Sequence, residues 1–343
     1  MPGSRGRPRG ARRTGGDPGE VLIRATGPLL ATLAAALLTA LLLPPAIGWL
    51  RRLGLVQVVR RQGPAAHLAK TGTPMPAGLV FAPVACLAAW AVRPRDAALL
   101  ICIAVTLGHL ALGCADDWLK VRGRRPEGLK ARYKLAGQLL LACLLAGFAL
   151  SERPEAAALA LPFSHAHLLV PPLVFIGLVV VALLGATNGA NLTDGADGLL
   201  GSTGLVALAA LGVLTWVEGY PGLAALPLAL AGALLAFLRW NWYPARVFMG
   251  DTGSMAIGAA FAAVALLAGL PLYLPLLGLL FVLEVLSVVA QVAWFRRTGR
   301  RLLRMSPLHH HLELGGWREG RLVPRLLLFA VGCAALGLIA FWA

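Results

Sequence analysis

The chain has 343 residues, of which 58% are hydrophobic and 13% charged, with a formal net charge of +16 and a mean hydropathy of +0.76. So apolar a composition excludes a soluble globular domain and points to an integral membrane protein. The positive balance suits anionic lipid headgroups and anionic substrates, not nucleic acid.

Residues 1–24 carry six arginines (Arg5, Arg7, Arg9, Arg12, Arg13 and Arg24). They are expected to form a disordered basic tail ahead of a single transmembrane domain, residues 25–343. Apolar runs of spanning length follow near 27–50, 76–92, 97–115, 135–150, 168–186, 198–216, 221–238, 254–270, 272–292 and 323–342. They predict an all-α, polytopic bundle of about ten transmembrane helices. Backbone polar groups in hydrocarbon must be satisfied within each segment, and the short alternating runs of a barrel are missing. The first run is too long for the core of a signal peptide and is expected to stay. Cys86, Cys102, Cys114, Cys143 and Cys333 fall in or beside apolar runs and act as small hydrophobes.

Ten spans would put the loops near 51–75, 116–134, 187–197, 239–253 and 293–322 on one face. These hold 21 Lys or Arg, against three in the loops near 93–96, 151–167, 217–220 and 271. The basic face is therefore expected to be cytoplasmic. The arginine-rich tail, placed opposite by parity, runs against that rule.

Polar residues on the basic face are the informative ones. Of seven Asp in the chain, Asp116, Asp117, Asp194, Asp197 and Asp251 all fall there, beside helix ends. "DDWLKVRGRRPEGLKARYK" (116–134) sets paired carboxylates before a basic loop. "TNGANLTDGADGLLGS" (187–202) spaces Asn188, Asn191, Asp194 and Asp197 by threes, equipment for a nucleotide's polar edges. In "NWYPARVFMGDTGSMAIG" (241–258), Asp251 opens an apolar run, where a carboxylate can hold a cation that bridges to phosphate. Clustered carboxylates suit Mg2+. Glu284 is an intramembrane acid, expected to face a cavity or a polar partner such as Gln291. "SPLHHHLELGGW" (306–317) holds three adjacent histidines, which cannot all face one way on a helix. Zinc binding by these three alone is therefore not expected, and contacts to phosphate or sugar oxygens are.

These stretches, with "KTGTP" (70–74) and "GLKARYKLAGQ" (128–138), stand in the order found in the polyprenyl-phosphate N-acetylhexosamine-1-phosphate transferases, which the chain resembles from about residue 50 onward. The "HHHLELGGW" and "ARYKLAGQ" segments resemble the muramoyl-pentapeptide branch. The resemblance implies a Mg2+-dependent transfer from UDP-MurNAc-pentapeptide to undecaprenyl phosphate, giving UMP and the lipid-linked sugar of peptidoglycan synthesis, at the bacterial cytoplasmic membrane. Its catalytic residues would be Asp116, Asp117 and Asp251, with Asp251 on the metal. Substrate would be bound by Lys70, Thr73, Lys120, Lys130, Lys134, Asn188, Asn191, Asp194, Asp197, Asn241, Ser254, Gln291, His309, His310 and His311. Implied partners are the two substrates and the lipid bilayer, with a homodimer left open. A GlcNAc-1-phosphate transferase is the enzymatic alternative. A secondary transporter is the non-enzymatic one, although its site would lie at the bilayer midplane. One departure stands at Met75-Pro76-Ala77, where the family has Thr-Met-Gly and a close backbone approach would be lost at Ala77.

Overall fold

The computed structural model describes residues 18–57, 70–123 and 127–343, with side chains from residue 26 onward. Residues 1–17 of the expected tail lie outside the described residues, and a helix begins at Pro18. The helices in chain order are α1 (Pro18–Arg52), α2 (Gly78–Val92), α3 (Ala97–Val121), α4 (Ala131–Glu152), α5 (Pro172–Thr193), α6 (Leu199–Val217), α7 (Pro221–Asn241), α8 (Gly250–Leu267), α9 (Leu274–Leu277), α10 (Leu279–Thr298), α11 (Leu308–Leu314) and α12 (Glu319–Trp342). Among the described residues nine are long and apolar enough to cross a membrane: α1, α3 to α8, α10 and α12. Helix α2 has only 15 residues, about 22 Å against a hydrocarbon core of about 30 Å.

Helix α8 is the axis of the bundle. Its sequence is rich in Gly and Ala, which lets neighbouring backbones come close, and every residue in it is buried except Asp251. Helices α3 and α5 flank it, and α1, α6 and α7 build the adjoining layer. Outer helices show leucines where lipid would lie: Leu33 is 66% exposed, Leu173 80% and Leu328 72%.

Several helices run further than their apolar runs suggest. Helix α3 continues through Asp116, Asp117 and Lys120, which the hydropathy pattern leaves in a loop, and α5 extends through Asn188 and Asn191. Hydropathy marks only the part of a helix that lipid covers, and the polar turns beyond it are still helical. At its other end α5 starts at Pro172, later than expected, because Pro171-Pro172 breaks the chain. The preceding residues instead form an antiparallel hairpin, β1 (Ala158–Ala160) with β2 (His167–Leu169). The loops that carry the polar motifs meet at one end of the bundle.

Candidate active site

The site begins with a contact between two helices. A Cβ on Gly113 would fall on the backbone carbonyl of Asp251, so glycine lets α3 and α8 touch there. One turn later come Asp116 and Asp117, which as helix neighbours point about 100° apart. Asp117 turns toward the start of α8. It accepts the backbone N–H groups of Asp251 (3.2 Å) and Thr252 (3.0 Å), and the Thr252 hydroxyl (2.7 Å). Helix α8 has no side-chain cap of its own, and α3 supplies one. Asp116 turns toward the 127–130 loop, accepting the Leu129 N–H at 2.8 Å.

Two lysines lie among these carboxylates. Lys120, one helical turn after Asp116, has Nζ 2.5 Å from Asp116 Oδ2 and 3.1 Å from Asp251 Oδ2. Lys134 Nζ donates to the same Asp251 oxygen at 2.9 Å. One oxygen from each of Asp116, Asp117 and Asp251 lies within 4.8 Å of the other two. A set of hard carboxylate oxygens without Cys or His fits Mg2+ rather than a softer metal.

A second cluster adjoins the first. Lys70 Nζ sits 2.8 Å from Asp197 Oδ1 and 2.6 Å from Glu319 Oε1, and Glu319 Oε1 also accepts the Asp197 N–H at 2.6 Å. Asp197 Oδ2 accepts the Ala245 N–H at 2.8 Å. Four chain segments are thereby tied together. Burial pushes the Lys70 ammonium down, but the carboxylates of Glu319 and Asp197 outweigh it and leave it raised. Asp194 differs from Asp197, being half-buried. Desolvation first, and then the negative charges of Asp251 and Asp117, push it up to about 8.

The remaining expected residues fall into groups. Asn191 donates to the Ser254 hydroxyl at 3.0 Å, linking α5 to α8 beside Asp251. Asn188 donates to Gln138 Oε1 (3.2 Å) and to the Leu184 carbonyl (2.8 Å), joining α5 to α4. Asn241 is buried and donates to the Val247 carbonyl at 3.0 Å, so it shapes the 242–249 loop. Thr73 is half-buried in a short strand-like pairing of residues 56 and 74, and Lys130 is exposed where α4 begins. Ala77 is fully buried and donates its N–H to the Phe248 carbonyl at 2.9 Å, and the Gly78 N–H donates to the Met249 carbonyl at 3.0 Å. The close backbone approach in this stretch is made one residue later, at Gly78, where a Cβ would fall on the backbone of Gly253.

Gln291 stands apart from the carboxylates. It accepts the N–H groups of Leu302 (3.0 Å) and Leu303 (2.8 Å), fastening the loop before α11. It is not the partner of Glu284, which lies against His309. The three histidines point differently, as helical spacing requires. His309 is fully buried, His310 Nδ1 pairs with Glu313 Oε2 at 2.7 Å, and His311 Nδ1 accepts the Arg304 N–H at 3.1 Å. Sequence reasoning passed over Glu319, Thr252 and Gln138, since a lone Glu at a helix start or a lone Thr or Gln within an apolar run carries no local signal.

The chain is similar to known proteins over most of its length. The Glycosyl transferase family 4 profile matches residues 99–269, which include the α3–α8 carboxylates. A phospho-N-acetylmuramoyl-pentapeptide-transferase of Moorella thermoacetica is 43% identical over 320 residues, covering 92% of this chain and 98% of the relative. One of Desulforamulus reducens is 44% identical over 317 residues, 89% and 94%. One of Shouchella clausii is 40% identical over 327 residues, 92% and 96%.

Proposed function

From the premise that the chain belongs to the phospho-N-acetylmuramoyl-pentapeptide-transferase family, we propose that it moves phospho-MurNAc-pentapeptide from its UDP derivative to undecaprenyl phosphate. The products are the undecaprenyl-pyrophosphoryl sugar and UMP. The observation that carries the proposal is the meeting of Asp116, Asp117 and Asp251 beside Lys120 and Lys134 at the end of α3 and α8.

The reaction exchanges one phosphoanhydride for another. An oxygen of the lipid phosphate attacks the sugar-bearing phosphorus, and the bond to UMP breaks with its electron pair leaving on UMP. Bond energies offer little driving force, so alignment and charge neutralisation carry the catalysis. Asp251, with Asp116 or Asp117, would hold Mg2+, and the ion would supply charge neutralisation between the two anionic substrates.

The two members of the pair take different parts. Asp117 already accepts three hydrogen bonds from the start of α8, which makes it the fixed organiser of the triad. Asp116, which accepts one backbone hydrogen bond, from Leu129, and whose Oδ2 faces the Lys120 ammonium, is the better placed to take a proton from the lipid phosphate, an easy task for a monoester with a second pKa near ~6. Lys120 and Lys134 then turn from carboxylates to phosphates. Lys70, Asp194 and Asp197 line the nucleotide side.

The site lies on the cytoplasmic face of the bacterial membrane in this proposal, where the basic loops gather and where nucleotide sugars are made. The test is product formation by purified protein with undecaprenyl phosphate and either UDP-MurNAc-pentapeptide or UDP-GlcNAc. Label entering lipid from the first and not the second is expected. Transfer from UDP-GlcNAc alone would move the protein to the other branch, and transfer from neither would remove the enzymatic assignment.

A further inference from the structure

Glu284 is a fully buried acid in the second turn of α10, and the transfer mechanism makes no use of it. Its carboxylate is turned onto one residue. The His309 N–H lies 3.3 Å and 3.4 Å from its two oxygens, and His309 Nδ1 lies 3.1 Å from Oε1. His309 is itself fully buried; Nδ1 faces Glu284 as an ion-pair contact and not as an aligned hydrogen bond, and Nε2 has no hydrogen-bond partner among the described residues. That far edge of the ring rests on Gly195. A Cβ at Gly195 would collide with Nε2, so no other residue fits there without moving the ring.

Gly195 stands between Asp194 and Asp197, the polar wall beside Lys70. The order Glu284, His309, Gly195 is therefore a stack of contacts running from α10 through the first turn of α11 to the nucleotide side of the site. We propose that Glu284 is a positioning residue, which holds the His309 ring against Gly195 and so fixes the Asp194–Asp197 wall for the nucleotide. This rests on the transferase reading above. His309 in this arrangement acts from behind the wall and does not touch substrate, whereas His310 and His311 stand nearer the surface.

A substitution that loosens the ring should act on one substrate and through one residue. Glu284→Gln keeps the shape and an acceptor oxygen but loses the charge. With purified protein and UMP release as the readout, it is expected to raise KM for UDP-MurNAc-pentapeptide about tenfold, the scale of other supporting-shell losses. KM for undecaprenyl phosphate and the thermal midpoint in detergent should stay near wild type. The double variant Glu284→Gln, His309→Asn should be no worse than His309→Asn, because both remove the same support. Additive losses, or a parallel rise in both KM values, would overturn the proposal. If Glu284→Gln does not fold, Gly195→Ala, in a loop, gives the same test by pushing the ring from the other side. An unchanged nucleotide KM in that variant would overturn it too. Wild-type protein that releases no UMP sinks the transfer itself, whereas active wild type with unaffected variants sinks only this inference.

Discussion

Asp194 and Asp197 are three residues apart and share a loop, yet their surroundings give them different work. Asp197 is held by Lys70 and by the Ala245 N–H. Asp194 meets desolvation and the charges of Asp251 and Asp117, which push it up to about 8. A carboxyl whose folded-state pKa lies above its unfolded value lowers stability as pH rises, because the unfolded chain releases the proton first. The cost starts near the unfolded value, grows up to about 8 and is constant above it. Asp194→Asn removes that cost. In metal-free buffer its gain in thermal midpoint over wild type is expected to grow between pH 5 and pH 8 and then level off, in a protein with impaired turnover. A gain that is independent of pH would contradict the electrostatic account of this residue.

At the scale of elements, the site depends on how closely α3 approaches α8. Gly113 sits where any side chain would meet the Asp251 carbonyl, and α8 takes its N-terminal cap from Asp117. Gly113→Ala is expected to destabilise the folded protein by about 1–3 kcal/mol, as overpacking does, and to lower turnover more than the stability loss explains, since it moves both aspartates away from Asp251. Thermal unfolding and UMP release measured together check this, and unchanged turnover would show that the helices can separate without harm. Much of this level was legible beforehand. Apolar runs located the bundle, and the motifs located Asp116, Asp117, Asp194, Asp197 and Asp251. Two things escaped. Helix ends reached past the apolar runs, because hydropathy reports lipid contact and not hydrogen bonding. Tertiary partners such as Glu319 and Thr252, 249 and 135 residues from the groups they hold, leave no mark on local sequence.

At the scale of the whole molecule, the contacts of Lys70 with Asp197, Lys134 with Asp251 and Asn191 with Ser254 gather distant loops at one end of the bundle. The same end carries most of the loop charge. Single cysteines placed at Glu127 and at Trp317, in a background without the native cysteines, should both react with an impermeant reagent from the cytoplasmic side only. Labelling of the two from opposite sides would contradict the arrangement of the helices, and labelling of both from outside would reverse the orientation.

The claim on which all of this turns is that Asp251, with Asp116 and Asp117, holds a divalent cation that makes phosphoryl transfer possible. It is tested most directly by UMP release from UDP-MurNAc-pentapeptide and undecaprenyl phosphate as Mg2+ is titrated, for wild type and for Asp251→Asn. Wild type should be silent in chelator and restored by Mg2+. Asp251→Asn, a far weaker ligand of nearly the same shape, should stay folded and lose on the order of 100-fold or more in turnover at every Mg2+ concentration, beyond the ~10–100-fold typical of supporting groups around a metal. Near-normal turnover by that variant at ordinary Mg2+, or full wild-type activity in chelator, would contradict the account.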